Sequence, residues 1–528
     1  MGTDITGPLR WDAVSAGRSS QTIQIGDRII GLVALRTRLA AVSHDIKTAL
    51  ARRLFVDRRA LVALRVALGA LLLTDLLLRA RSLAFFYTDS GAFPRPALFA
   101  RYPVTANLSV YTLLGDGWWV GLLFVTAGIA ALALAVGYRT KAAAICSLIL
   151  LVSLHARNPL VLNGGDSLLR RTLLWCLFLP LGTGLGLDDR TRSPHPAAVG
   201  LLIQPVVLYV VNAVIKLRGD AWPSGRAVPM VFSIDSLTVF LGDRLAAYPG
   251  LLAGLGFAWV LLLCCSPLLV VATGRKRTIV VGAFASAHAG MALTLGVGLF
   301  PFVSLAALLP YLPPEVWDSV EARWNRTVRR IASTRPERAD RMTPRFRDSV
   351  RGDHVAIGSV PAALWRIVPS RTSADGDRGG IVTSRLVDRE RVASAARSTG
   401  RGVATALLLV VVVWNAAALG YVDVPESDTV EVEPRETRWD MFAPSPPTED
   451  VWYAAVGTLE SGKTVDAIHG RDPSLQPSDH RRSTYPSARW RKYLEVVRWT
   501  GDDTLRRRFA SALCTRWNAT HRTNVEAI

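Results

Sequence analysis

A lysine closes the apolar run in "NAVIKLRGDAWPSG", and the residues one and two turns before it are polar or aromatic. Tyr209, Asn212 and Lys216 stand three, four and seven residues apart, which puts them on one face of a helix, while Gln204 falls off that face. A lysine at the end of a membrane-spanning stretch has two readings. Its long stem can snorkel and carry the ammonium to the headgroups. Alternatively, the polar stripe leads to a cavity lined by protein, where burial favours the neutral amine and makes it available as a general base.

Other candidates for chemistry are sparse. In "SLHARNPLVLNGGDSLLRR", His155, Arg157, Asn158, Asn163, Asp166 and Arg170 crowd around Pro159 and the Gly164-Gly165 pair. They read either as a capped, solvated loop, with Asp166 capping the helix that follows, or as a polar mouth between two spans. His288 sits in mid-span among small residues that permit close helix approach, as a hydrogen-bonded core histidine or as a proton-transfer group. Arg65 and Asp75 are ten residues apart, about 15 Å along a helix, so they cannot pair with each other, and Asp75 has Arg79 one turn on. They are expected to hold helices together, each through a different partner. No second histidine stands at ligand spacing, and no nucleophile-elbow, phosphate-loop or dinucleotide pattern occurs, so no metal is expected.

The elements that must position these residues are membrane helices. Half of the 528 residues are apolar, and they come in blocks. Runs of roughly bilayer-spanning length occur at Leu61–Leu78, Trp118–Val136, Ala142–Leu154, Ser167–Leu185, Ala198–Lys216, Leu251–Thr273, Thr278–Phe300 and Val403–Tyr421. The short "PFVSLAALLPYLPP" segment is read as a further crossing, which makes a mostly α, polytopic bundle of eight or nine spans.

Charge follows this arrangement rather than a nucleic-acid surface. Of the formal +20, the connector from Ser319 to Arg401 carries 18 Arg against 9 acidic residues, whereas Val422–Ile528 carries 15 basic and 17 acidic ones. By the positive-inside rule the N-terminus and the connector are expected inside a cell membrane and the C-terminal region outside. The expected organisation is a basic N-terminal segment (1–56), a membrane domain (57–317), an Arg-rich, largely disordered connector (318–401), a last span (402–421) and a small α+β C-terminal appendage (422–528). In that appendage "DVWYAAVGTLESGKTVDAI" predicts a hairpin turning at Ser461–Gly462, and the spacing of Trp490, Tyr493, Leu494 and Val497 predicts a helix, as does that of Leu505, Phe509 and Leu513. The five cysteines form no disulfide or zinc spacing.

The blocks "FFYTDSGAFPR", "HARNPLVLNGGDSLLRRTLLWCLFLPLG", "VIKLRGDAWPSGRAV", "AHAGMALTLGVGLFPFVSLAALLPYLPPEVW" and "RWDMFAPSPP" occur in this order. In them the chain resembles the horizontally transferred transmembrane domain family, the family of the vitamin K-dependent gamma-carboxylases, from about Asp57 to Trp317 and again from Val403 onward. The resemblance implies a membrane lysine that deprotonates a reduced quinone, vitamin K hydroquinone or menaquinol. Lys216, before the "W-x-x-G" of Trp222 to Gly225, matches that lysine. His155 and His288 fall in blocks that carry polar residues near the quinone; Tyr209 and Asn212, on the helix face of Lys216, and Asn158 are the expected cofactor contacts. The Arg-rich connector and the short C-terminal region depart from the carboxylase's large substrate-handling domain. Two functions are therefore expected: a quinol-linked carboxylase or epoxidase acting on a lipophilic small molecule, or a non-catalytic membrane carrier or assembly protein with the same fold.

Overall fold

Helix starts and stops follow local chemistry in the computed structural model, which describes residues 44–45, 48–181, 195–333, 382–422, 441–474 and 485–528. Helix α1 (Arg58–Ala80) begins at Asp57, whose carboxylate accepts from the Arg59 backbone N–H. Helix α2 (Gly117–Val136) ends at Gly137, in the left-handed region with φ 85°. Helix α3 (Thr140–Arg157) follows, then α4 (Gly164–Cys176), which opens with a capping box between Asn163 and Asp166. Asp166 is thus the third helical residue of the box, and Asn163 is the cap. Helix α5 (Pro196–Leu217) has Pro196 in its first turn and carries Lys216 in its last.

Next come α6 (Pro249–Cys264), α7 (Gly274–Thr294), α8 (Phe300–Leu308), α9 (Pro314–Ser333) and α10 (Val382–Ala418). Among the described residues, five helices are long and apolar enough to cross a membrane: α1, α2, α3, α5 and the Ser398–Ala418 part of α10. The other expected spans take shorter or less apolar forms. The Leu251–Thr273 run breaks after Cys264, where Pro267 cannot continue the helix, and leaves a single turn at Leu268–Val271. Helix α4 has 13 residues, and residues 182–194 beyond it lie outside the described residues. Helix α7 has 21 residues but begins with the charged "GRKR".

The stretch expected to be largely disordered has helix at both of its ends. Helix α9 runs to Ser333 and α10 begins at Val382, while residues 334–381 lie outside the described residues. The physical reason at the first end is an apolar face formed by Val316, Val320 and Trp324 at four-residue spacing within an Arg-rich stretch.

Val56–Ile528 is a single unit by its internal contacts. Its helical core joins Leu64, Leu68 and Leu72 of α1 to Ala131 and Leu134 of α2, Leu169 and Leu173 of α4, Leu201 of α5 and Ala307 of α8. Helices α1 and α2 approach closely where Gly69 faces α2, since a Cβ there would lie 2.6 Å from the Ala135 Cβ and 2.7 Å from the Ala131 carbonyl oxygen. Gly69→Val is therefore expected to force α1 and α2 apart and cost about 1–3 kcal/mol. Thermal unfolding in detergent checks this against Gly121→Val, whose added side chain starts in open space.

The C-terminal elements are strands β1 (Val456–Leu459) and β2 (Thr464–Asp466), helices α11 (Ala488–Trp499) and α12 (Asp503–Thr520), and strand β3 (Val525–Ala527). Strand β1 is central and pairs antiparallel with both others. The turn between β1 and β2 holds Gly462 at φ 77°. These elements share one core with the short helix Leu83–Tyr87 that follows α1, where Trp490 of α11 stacks on Phe85 at 4.3 Å between ring centroids and Tyr493 packs against Phe86.

Candidate functional site

Lys216 lies inside the protein, 1% exposed, although it occupies the last turn of a candidate span. Its Nζ donates to the Met441 carbonyl at 2.7 Å and sits 3.8 Å from the centroid of the Trp222 ring. The chain after α5 makes this possible by folding back at once: Ser224 Oγ donates to the Asp220 carbonyl, and Gly225 adopts φ 73°. Trp222 thereby returns over the helix end, and its Nε1 donates to the Phe442 carbonyl at 2.9 Å. Met441 and Phe442 have φ of 37° and 63°, a left-handed conformation that non-glycine residues adopt at a cost of about 1–3 kcal/mol each. This strained pair turns two successive carbonyls onto Lys216 and Trp222. Pro444 completes the dock, since a Cβ on Gly219 would lie 2.6 Å from its carbonyl oxygen. Two of the five sequence blocks, distant in the chain, thus meet around one ammonium.

Further up α5, Tyr209 OH and His288 Nε2 of α7 are 2.9 Å apart and fully buried. Phe284 stacks on Tyr209 at 4.5 Å between centroids, and Trp259 and Phe300 present their rings to His288 at 5.7 and 5.6 Å. Among the described residues His288 Nδ1 has no hydrogen-bond partner. Asn212 is buried between the two levels and donates to the Leu208 carbonyl of its own helix at 3.3 Å. Seven residues separate Tyr209 from Lys216, about 10 Å along the axis, so the Tyr209–His288 pair and the lysine are two stations on one helix face. Gln204 is buried as well and accepts from Trp175 Nε1 at 2.5 Å.

Tyr209→Phe tests the pair on its own. Removing the hydroxyl leaves both His288 ring nitrogens without a protein partner, which should cost about 1–3 kcal/mol of stability. Melting in detergent would show the loss, and the same substitution made together with His288→Leu should cost less than the separate effects combined.

His155 belongs to a third constellation, at the ends of α1, α3 and α4. Arg79, fully buried, donates Nε to Asp75 at 2.7 Å, Nη1 to Tyr87 OH at 2.7 Å and Nη2 to Asp166 at 2.6 Å, and the same Nη2 lies 3.1 Å from His155 Nε2. Arg489 of α11 reaches in from the far end of the sequence, bonding Asp75 and, at 3.2 Å through each of its two terminal nitrogens, Asp166. Burial and the neighbouring Arg79 act to lower the Arg489 pKa, but Asp166 and Asp75 hold it above its ordinary value. The other ring nitrogen of His155 faces Arg170 Nη1 at 3.3 Å, and a neutral imidazole can accept from only one of these two arginines. Asp75, His155 and Asp166 each place a potential metal-ligating atom within 4.8 Å of the others, a spacing a cation could use. Arg79 and Arg489 supply the positive charge at that point and balance the two carboxylates.

No family model, curated protein or solved structure matches the chain. The chemistry has therefore to be read from the geometry. Of the sequence-predicted residues, the structure joins Tyr209 to His288, sets Lys216 on the same helix face and places His155 among guanidiniums. Asn158 uses both ends of its amide on the backbone, donating to the Phe86 carbonyl at 2.8 Å and accepting from the Leu160 N–H at 3.2 Å. Its neighbour Arg157 donates to the Phe93 carbonyl at 2.8 Å, so this segment is a buried polar joint and not a solvated loop. Arg65 is bonded to the Leu181 carbonyl at 3.1 Å, away from Asp75, whose partners are Arg79 of its own helix and Arg489. Sequence reasoning missed Arg489 and the carbonyls of Met441 and Phe442. One arginine in so basic a chain carries no distinguishing local signal, and a carbonyl carries none at all.

Proposed function

We propose that the chain is a membrane protein of the vitamin K-dependent gamma-carboxylase-like, horizontally transferred transmembrane domain family. In this reading it handles a lipophilic quinol, vitamin K hydroquinone or menaquinol, with Lys216 as base toward the quinol hydroxyl and carboxylation or epoxidation as the outcome. The observation that carries the reading is the enclosure of Lys216: its Nζ is turned into protein at a helix end where a snorkelling lysine would reach for headgroups. A bound quinol would supply an acidic hydroxyl. When neutral Lys216 takes that proton, the charge appears where the Met441 carbonyl and the Trp222 face are already oriented to receive it. The Nδ1 of His288, without a hydrogen-bond partner among the described residues and buried among Tyr209, Trp259, Phe284 and Phe300, fits an aromatic-walled contact for the same molecule, with Asn212 between. His155 and Asn158 serve the polar joint in this reading.

The fold proposed to accompany this function has eight or nine spans and a C-terminal appendage outside, with the N-terminus and connector inside. Its support is that α9 is tied to the first turn of α1 through Arg59 and Asp318, whereas α11 is tied to the last turns through Arg489 and Asp75. Sixteen residues of helix, about 24 Å, separate these ties. The test is purification in detergent with identification of any co-purifying quinone, followed by quinol oxidation and carbon dioxide incorporation in reconstituted membranes. Co-purified quinone and turnover support the reading. A protein that neither retains nor oxidises quinols fits the second reading, a carrier or assembly protein, which is favoured by the complete engagement of Lys216 with a carbonyl and an indole.

A further inference from the structure

We infer that α9 lies flat in the headgroup layer of the bilayer and recognises anionic phospholipid, an inference that needs the membrane helices but not the quinol chemistry. Its position is fixed first. Arg59, in the first turn of the α1 span, donates to Asp318 at 2.7 Å, to Glu321 at 3.3 Å and to the Pro314 carbonyl at 3.3 Å. The start of a span marks the edge of the hydrocarbon, so these bonds hold the first turns of α9 at the membrane boundary.

The two faces of α9 then suit that boundary and no aqueous surface. Val320 and Trp324, one turn apart, are 51% and 45% exposed, with apolar surface that no described element covers. Trp is a residue of bilayer interfaces, where its ring meets apolar chains on one side and headgroups on the other. From Ala322 to Ser333 the helix contains Arg323, Arg326, Arg329 and Arg330 and no acidic residue, and all four arginines are exposed. The acidic residues Asp318 and Glu321 lie before this stretch and are paired to Arg59. An apolar strip with a tryptophan, flanked by basic residues, is the pattern of a helix that lies in the interface and is drawn to anionic lipid. The basic excess commits the surface to anionic phospholipid, in preference to a protein that would cover only the apolar strip.

The experiment uses the full chain in nanodiscs, with a fluorescent label at Val320→Cys and, as a control on the polar face, at Ser319→Cys. Both are made in a background whose five native cysteines are serine and whose melting is first shown to be unchanged. Nitroxide-bearing phosphatidylglycerol or phosphatidylcholine is then added to the lipid. The label at 320 should be quenched by lipid nitroxide and shielded from an aqueous quencher, with the reverse at 319. Phosphatidylglycerol should quench more than phosphatidylcholine, and each of Arg326→Gln and Arg329→Gln should reduce that preference by about fivefold at low salt. A label at 320 open to the aqueous quencher overturns the proposal. So does one shielded from both quenchers, which would mean that protein covers the face, and equal quenching by the two lipids removes the anionic recognition.

Discussion

Arg79→Ala is expected to prevent the chain from accumulating as folded protein. The guanidinium serves Asp75, Tyr87 and Asp166 and lies against His155, all in one buried cluster. With it gone, two buried carboxylates share the single charge of Arg489. Stranding a buried charge costs about 3–5 kcal/mol. That is a large part of the 5–15 kcal/mol that ordinarily separates folded from unfolded protein. Arg79→Lys should fare nearly as badly, because one ammonium cannot imitate a planar fork reaching four groups. The charge-balanced pair Arg79→Met with Asp166→Asn should recover part of the loss. Monodisperse yield and melting in detergent measure all three, and a normal yield for Arg79→Ala would show that the network contributes little.

Lys216 should separate chemistry from docking. General-base assistance is commonly worth 10²–10⁴-fold, so on the proposed quinol reading Lys216→Met should reduce quinol oxidation in reconstituted membranes by at least about a hundredfold. It should also loosen the 441–444 segment, which loses its contact to the ammonium, and so expose it to protease. Lys216→Arg keeps a cation that can still meet the carbonyl and the indole but cannot be deprotonated. It should therefore be as inactive as Lys216→Met while leaving the segment docked. If Lys216→Arg retains turnover, the residue is a fixed positive charge and the base assignment fails.

What could be read from the chain beforehand was whatever repeats locally. The long apolar runs gave α1, α2, α3, α5 and the end of α10, because a bilayer-spanning helix is defined by its own length and composition. The Ser461–Gly462 turn and the period of Trp490, Tyr493 and Val497 were equally legible. The spacing of Tyr209, Asn212 and Lys216 placed them on one face, yet it could not show that Trp222 folds back over the ammonium, since that depends on a turn after the helix. The amphipathic face of α9 lay hidden in a stretch judged by its arginines. The pairing of Arg489 with Asp75 spans 414 residues and leaves no trace in either neighbourhood.

That last distance sets an order of events during synthesis. When α1, α3 and α4 have been made, Asp75, Arg79 and Asp166 together carry one negative charge too many, in a cluster that Arg489 has yet to join. The arginine that neutralises it arrives 323 residues after Asp166. At roughly 5–20 residues per second the nascent bundle waits on the order of 16 to 65 seconds with that charge uncompensated. The charge balance of the first helices is therefore completed only once α11 has been made. A chain cut short before α11 keeps the excess charge, so α11 completes a charge balance that α1 and α4 leave open.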